Sequence, residues 1–240
     1  MMTLAKNTLA LLLLSLTIGC QVSRNATTPD SKKMNEKLSY LALGDSYTIG
    51  EGVREAERYP VILKNLLASE NIEFSAPHII ATTGWTTDEL KKSIAEATEL
   101  RESYDLVTLL IGVNNQYRGR SVENYEEEFG DLLDQAIAFA GGRPEHVFVL
   151  SIPDWGITPF AKEKDVDQSK VAREIDLYNQ SKERISSEKG VVYTDITEHY
   201  RMHGAKEDGV VADNLHPSGK IYQHWAEKLK MHVVGKGLFK

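Results

Sequence analysis

The chain has 240 residues, of which 41% are hydrophobic and 26% are charged, and its formal net charge is −7. This length and composition favour one globular domain of moderate size with a substantial buried core. The negative charge argues against a nucleic-acid partner, because binding phosphates requires a basic face.

The first 37 residues are predicted to precede the folded domain. Residues 1–20 contain Lys6, an apolar run from Leu9 to Ile18 and then Gly19-Cys20, a pattern typical of an export signal. The run is shorter than the about 20 apolar residues of a membrane span. Residues 21–37 are polar and lack periodic apolar positions, so we expect a flexible linker there. The globular domain is predicted over residues 38–240.

Cys20 is the single cysteine of the chain, so an internal disulfide is not possible. Its place directly after the apolar run resembles the lipidated cysteine of bacterial lipoproteins, although Leu16 stands four residues before it instead of the usual three. The resemblance implies export and a lipid anchor at Cys20 in the bacterial cell envelope, with no other membrane contact. The alternative is an ordinary signal peptide cleaved near Gly19, which gives a secreted or periplasmic protein.

From Leu38 onward, short apolar runs alternate with longer helical patterns. The runs predicted as strands are Tyr40–Leu43, His78–Thr82, Leu106–Ile111, His146–Ser151 and Val191–Thr194. The predicted helices are Tyr59–Ser69, Thr87–Leu100, Val122–Ala140, Gln168–Glu188 and Ser218–Val234. Such alternation indicates a parallel sheet, and continuous apolar runs indicate strands covered on both faces. The predicted fold is therefore α/β, a three-layer α/β/α sandwich around a five-stranded parallel sheet.

Candidate site residues follow directly after the first three predicted strands. They are Ser46, Gly84 and Asn114, in that order. In open parallel α/β sheets, ligand sites form beyond the carboxyl ends of the strands. We therefore expect these residues at one edge of the sheet. Taken singly, each is also a common turn or cap residue, so their combination carries the prediction.

A carboxylate and an imidazole stand together near the C-terminus, in Asp213-Asn214-Leu215-His216-Pro217. An Asp three residues before a His can reach Nδ1 within one turn and orient the ring as a general base. With Ser46, this pair has the composition of a serine hydrolase triad. The order Ser, Asp, His also occurs in α/β-hydrolases, but no G-x-S-x-G motif surrounds Ser46, which disfavours that fold.

The chain resembles the GDSL-type esterases and lipases, also called SGNH hydrolases. The motifs that carry the resemblance are Gly44-Asp45-Ser46, Gly84, Gly112-Val113-Asn114 and the segment from Asp213 to Pro217. The resemblance covers about Leu38 to the C-terminal helix. It implies the flavodoxin-like strand order 2-1-3-4-5 and an oxyanion hole formed by Ser46, Gly84 and Asn114. Asn115 competes with Asn114 for the last role, and the Gly-x-Asn spacing favours Asn114. Tyr47 stands where the name-giving Leu would be, which is not a catalytic position.

The implied activity is that of a serine esterase that hydrolyses small acyl esters through an acyl-enzyme, without a metal or cofactor. A carbohydrate O-deacetylase would use the same site, so the substrate is either a small-molecule acyl ester or an acetylated carbohydrate. Trp85, Asn115 and Trp155 are candidate substrate-binding residues, although core packing explains either tryptophan equally well.

Two other functions and one metal site compete with this prediction. A non-catalytic surface binding module on the same fold is disfavoured because every catalytic position holds a competent residue. A nucleotide-binding flavodoxin-like protein would need a G-x-G-x-x-G or P-loop motif, and the sequence has neither. His199 and His203, four residues apart, have the spacing of two zinc ligands on a helix. No third ligand is evident beside them in the sequence, so no metal site is predicted.

Overall fold

The computed structural model describes residues 37–239. Within these residues, one sheet contains five strands: β1 (Tyr40–Gly44), β2 (His78–Ala81), β3 (Leu106–Leu110), β4 (Val147–Leu150) and β5 (Val192–Thr194). Their order is β2-β1-β3-β4-β5, and every neighbouring pair is parallel. The structure therefore confirms the predicted α/β fold and the order that the family resemblance implies.

The same residues form nine α-helices. They are α1 (Ser46–Ile49), α2 (Tyr59–Ala68), α3 (Thr87–Glu96), α4 (Val113–Tyr117), α5 (Val122–Phe139), α6 (Pro159–Glu163), α7 (Gln168–Glu188), α8 (Thr197–His203) and α9 (Gly219–Lys236). Single 3₁₀ turns cover Glu55–Glu57, Pro144–His146 and Trp155–Ile157. All five predicted helices are present. The second of them, α3, ends at Glu96 instead of Leu100, because Ala97 adopts an extended backbone and Leu100 packs against the core from the connecting segment.

Burial explains why the strands consist of continuous apolar runs. All residues of β1, β3 and β4 are buried, whereas β2 and β5, at the two edges of the sheet, are partly exposed. The helices that cover the sheet form two groups, with α2 packed on α9 and with α5 packed on α3 and α7. The central strands are thus shielded from water on both faces, as parallel sheets require.

The predicted export signal, Cys20 and residues 21–36 of the predicted linker lie outside the described residues. Within residues 37–239, no helix combines the length and the apolar character that crossing a membrane requires.

Candidate active site

Ser46 is the first residue of α1, directly beyond the carboxyl end of β1. Asp45 caps this helix, because its Oδ1 accepts the backbone N–H of Tyr47 at 3.0 Å. Gly44 allows the chain to turn here, since a Cβ at this position would lie 2.1 Å from Oγ1 of Thr48. Ser46 is only 4% exposed, but it lines a surface cavity where a ligand can meet it.

The cavity beside Ser46 has a volume of about 200 Å³. Its walls combine the predicted catalytic residues with apolar and aromatic side chains: Ser46, Tyr47, Val113, Asn114, Tyr117, Trp155, Phe160, Leu215 and His216. The structure therefore brings together three residues that are far apart in the sequence, namely Ser46, Asn114 and His216.

Asp213 and His216 form a hydrogen-bonded pair. Oδ2 of Asp213 lies 2.6 Å from Nδ1 of His216, and its Oδ1 accepts the backbone N–H groups of Leu215 and His216 at 2.8 and 2.9 Å. Partial burial opposes ionisation of Asp213, but these hydrogen bonds outweigh it, so the pKa of the carboxyl is lowered. An ionised carboxylate keeps a proton on Nδ1 and leaves Nε2 as the nitrogen that can accept one.

Ser46 and His216 face the same cavity without a direct hydrogen bond between their side chains within residues 37–239. Such contacts are often long before a substrate is bound. The His216 ring is only 11% exposed, and Tyr47 packs edge-on against it with the ring centroids 5.9 Å apart. The tyrosine that replaces the name-giving leucine therefore supports the ring of the candidate base.

The turn that carries Asp213 and His216 is fixed by contacts from two other elements. The hydroxyl of Tyr200, in α8, donates to the carbonyl of Leu215 at 3.0 Å. The backbone N–H of Phe160, in α6, donates to the carbonyl of Asn214 at 3.0 Å. Both helices thereby hold the candidate base and its carboxylate against the cavity.

Asn114 lies in α4, immediately beyond β3. Its Nδ2 donates one hydrogen bond to the backbone carbonyl of Trp85 at 2.9 Å. An amide nitrogen carries two N–H groups, so this bond orients the side chain and leaves the second N–H for a ligand in the cavity. The side chain thus has the chemistry that an oxyanion donor needs.

Gly84 does not line the cavity itself. It precedes Trp85, whose carbonyl accepts the hydrogen bond from the cavity residue Asn114. Its φ of 88° lies in the left-handed region that favours glycine. Arg118 donates to the Gly84 carbonyl at 2.7 Å and to Glu89 at 3.2 Å, which fixes this segment next to α4. Within residues 37–239, the backbone N–H groups of Ser46 and Gly84 have no acceptor, so both remain available as donors.

The structure places the side chains of the candidate substrate-binding residues in different surroundings. Trp155 lines the cavity and donates from its indole N–H to Oε1 of Gln116 at 2.8 Å. Trp85 contributes its backbone carbonyl, whereas its side chain packs against the hydrophobic core. Of the two tryptophans, Trp155 is therefore the one whose side chain can touch a ligand in this cavity.

Asn115 does not fit the prediction that it contacts substrate. Its side chain is fully buried, with Oδ1 accepting the N–H of Thr87 at 3.1 Å and Nδ2 donating to Oγ1 of Thr87 at 2.6 Å. Consecutive residues of a helix do not share a face. Asn114 therefore meets the cavity, while Asn115 holds the start of α3.

Val113, Tyr117 and Leu215 line the cavity but are not predicted from the sequence as substrate-binding residues. Tyr117 is 59% exposed and packs edge-on against Trp155, with ring centroids 5.2 Å apart. It stands three residues after Asn114, so both lie on one face of α4. The three-residue spacing is visible in the sequence, but it places Tyr117 beside Asn114 only if this segment is known to be a helix.

His199 and His203 lie in α8 and are joined by His224 from α9. Their rings stack, with centroids 4.3 Å apart for His199–His203 and 3.5 Å for His199–His224. Burial, reinforced by the neighbouring His224 and His203, lowers the pKa of His199 to about 4. No cluster of His, Cys, Asp or Glu in the described part of the chain is arranged to hold a metal ion.

A wider groove of about 620 Å³ lies beside β5, lined mainly by polar and charged side chains. Arg201 in this groove is 2.8 Å from carboxylate oxygens of both Asp154 and Asp176. The guanidinium of Arg201 is thus paired within the protein, and none of the predicted catalytic residues lines this groove. The smaller cavity beside Ser46 is the candidate active site.

Comparison with known proteins identifies a matching family and similar folds. A protein-family model described as "GDSL-like Lipase/Acylhydrolase family" matches residues 42–224. The fold is similar to that of a lipase/acylhydrolase from Enterococcus faecalis, with a TM-score of 0.65, 17% identity, and coverage of 83% of this chain and 96% of that one. No curated protein matches the sequence significantly.

Two further solved structures show the same fold. The lipase Lip_vut3 from a goat rumen metagenome has a TM-score of 0.67 and 19% identity, covering 82% of this chain and 97% of that one. Axe2, an acetylxylan esterase from Geobacillus stearothermophilus, has a TM-score of 0.61 and 17% identity, covering 82% and 94%.

Proposed function

Because the chain belongs to the GDSL-like lipase/acylhydrolase family and is a carboxylic ester hydrolase, we propose that it hydrolyses small acyl esters through a Ser46–His216–Asp213 triad. The observation that carries this proposal is the 2.6 Å hydrogen bond between Asp213 and His216, whose ring lines the same cavity as Ser46. A nucleophile, a base and a carboxylate that orients the base are the components that acyl transfer requires.

In the first step, Nε2 of His216 takes the proton from the Ser46 hydroxyl as Oγ attacks the ester carbonyl. The developing oxyanion accepts hydrogen bonds from the backbone N–H groups of Ser46 and Gly84 and from the Asn114 amide. The carboxylate of Asp213 stabilises the imidazolium that forms. His216 then protonates the departing alcohol, which leaves the acyl group on Ser46.

In the second step, a water molecule attacks the carbonyl carbon of the acyl-enzyme. His216 removes a proton from this water, and the same three donors hold the second oxyanion. Collapse of the intermediate breaks the bond to Oγ, returns the proton to Ser46 and releases the carboxylic acid.

The size of the cavity favours a short acyl group. The cavity beside Ser46 measures about 200 Å³. Pockets for drug-sized ligands begin at about 300 Å³. Val113, Phe160 and Leu215 give the cavity apolar walls, which suit a few methylene groups.

Tyr117 supports a second candidate within the same reaction, the removal of acetyl groups from a carbohydrate. Its ring is 59% exposed beside the cavity and braced by Trp155. Exposed aromatic faces suit sugar rings, and an acetyl group is small enough for the cavity. The related fold of Axe2, an acetylxylan esterase, is in keeping with this candidate.

A panel of esters with increasing acyl length, assayed beside acetylated oligosaccharides and with EDTA present, tests the proposal. We expect kcat/KM to be highest for the shortest acyl groups and to be unaffected by EDTA. Preference for the oligosaccharides, with Tyr117→Ala raising their KM more than that of a small ester, favours the second candidate. No turnover of any ester, or turnover only with added metal, contradicts the proposal.

We also propose that the protein is exported and anchored in the cell envelope through a lipid on Cys20, with residues 21–37 as a linker. Stable anchoring needs two lipid signals or more, since one acyl chain gives only marginal binding. Cell fractionation of the wild type and of Cys20→Ser tests this. The variant should leave the membrane fraction. A soluble wild-type protein that begins after Cys20 supports a plain signal peptide instead.

A further inference from the structure

Lys182, in the middle of α7, is a fully buried lysine that the reaction steps above do not use. Its Nζ donates to the backbone carbonyls of Ile111 and Leu150, each at 2.9 Å, and lies 5.5 Å from the centroid of the Phe129 ring. Ammonium groups are strongly hydrated, so complete burial is costly unless hydrogen bonds or an opposite charge compensate for the lost water. No carboxylate lies within ion-pair distance of Nζ in residues 37–239.

The two carbonyls that Lys182 binds belong to the strand ends that carry the candidate site. Ile111 follows β3 directly and is joined by its peptide bond to Gly112, which caps α4 and leads to Asn114. Leu150 is the last residue of β4, from which the chain continues to Trp155. The ammonium group therefore ties two neighbouring strands together where the chain enters the site.

Asp45, the residue before Ser46, is the ionisable group that interacts with Lys182. It is fully buried, and its Oδ2 has no hydrogen-bond partner within the described residues. Burial lowers the pKa of Lys182 to about 7, and the carboxylate of Asp45 opposes this shift. Burial also raises the pKa of Asp45 to about 7, against the hydrogen bond from Tyr47 and the charge of Lys182. Burial thus disfavours the charged form of each group, and the charge of its partner partly offsets this.

We propose that Lys182 is a positioning residue for ester hydrolysis, which fixes the Ile111–Gly112 peptide and thereby holds the Asn114 amide at the oxyanion. Lys182 does not line the cavity, so it acts through the backbone and not on the substrate. The inference rests on the proposed function, because it assigns Lys182 to the same oxyanion site.

Steady-state kinetics of Lys182→Met test the inference. Methionine has a similar length but neither the charge nor the N–H donors. Since a misplacement of about 1 Å can cost about 10²-fold in rate, we expect kcat to fall by about 10- to 100-fold while KM stays within about threefold. Ser186→Ala, a fully buried polar position one turn along α7, is the matched control and should keep kcat within about threefold.

A double-mutant cycle with Asn114→Ala separates positioning from a general loss of structure. If Lys182 acts through Asn114, Lys182→Met should cost little further kcat once the Asn114 amide is gone. Losses that multiply, or a Lys182→Met enzyme with wild-type kcat, overturn the inference. Lys182→Gln keeps two N–H donors on a shorter side chain, so its kcat should lie between those of the wild type and Lys182→Met.

Crystal structures provide a readout that does not depend on activity. In Lys182→Met the Asn114 amide should be displaced relative to the wild type, whereas Ser186→Ala should leave it in place. If Lys182→Met does not fold, the same comparison is made with Lys182→Gln. An unmoved Asn114 overturns the inference. A wild-type enzyme that cleaves no ester contradicts the proposed function, and the Asn114 position still decides the inference.

Discussion

The adjacent asparagines Asn114 and Asn115 should respond differently to replacement by alanine. Asn114→Ala should lower kcat, whereas Asn115→Ala should lower stability. Within residues 37–239 the Asn114 side chain makes one hydrogen bond, to the Trp85 carbonyl, and it is proposed to bind charge that exists only in the transition state. Loss of one oxyanion donor typically lowers kcat by about 10²–10³, or about 2.7–4 kcal/mol. KM should change little, because the ground state lacks that charge.

Asn115→Ala should instead reduce stability. It removes the 3.1 and 2.6 Å hydrogen bonds with Thr87 from a fully buried position. Leaving such groups unsatisfied costs about 1–3 kcal/mol, which lowers Tm by about 2–12 °C for a domain of this size. Esterase kinetics at a temperature where both variants are folded, together with thermal unfolding, give the comparison. A severe kcat loss in Asn115→Ala beside a mild one in Asn114→Ala would refute the reasoning.

Three further variants test other parts of the site. Asp213→Asn should lower kcat by up to about 10⁴, because it can leave His216 in the wrong tautomer; a change below tenfold in steady-state kinetics argues against the triad. Arg118→Gln should lower kcat by at most about tenfold, since it removes one hydrogen bond that holds Gly84; a loss equal to that of Asn114→Ala gives Arg118 a larger role. Asp45→Asn should flatten the pH dependence of unfolding. Burial raises the folded-state pKa of Asp45 to about 7, so folded Asp45 holds a proton that the unfolded chain releases near pH 4, and wild-type stability loses this contribution as pH rises from about 4 to 7. Urea unfolding at about pH 4.5 and pH 7 measures it, and equal slopes in variant and wild type contradict it.

The sheet and the long helices follow from local patterns in the sequence. Strands buried on both faces are largely apolar, and Leu106–Leu110, in which Thr108 is the one polar residue, shows this without a structure. Long helices such as Gln168–Glu188 show an apolar face over several turns. The strand order depends on which distant strands pair, so it came from the family resemblance and not from periodicity.

The short helices at the strand ends could not be predicted in the same way. Ser46–Ile49 and Val113–Tyr117 have four and five residues, too few to show a helical period. Without the second helix, Asn114 and Asn115 are equivalent neighbours, and nothing places Tyr117 beside the cavity. Long-range packing alone separates the asparagine at the cavity from the buried one.

The contacts of Lys182 also depend on long-range packing that the local sequence does not show. Its spacing from Tyr178 and Ile185 places it on the apolar face of α7, but the sequence does not show which groups its ammonium meets there. Its burial depends on carbonyls 71 and 32 residues away, those of Ile111 and Leu150. Only the assembled sheet brings these acceptors together, so no local pattern predicts them.

Covalent labelling of Ser46 tests the central proposal most directly. A fluorophosphonate probe mimics the tetrahedral intermediate and reacts with a serine that an oriented histidine activates. Peptide mapping by mass spectrometry after labelling should find the probe on Ser46 and on no other serine. Labelling should disappear in Ser46→Ala and fall sharply in His216→Ala. A Ser46→Ala protein that still labels and still cleaves esters would contradict the account.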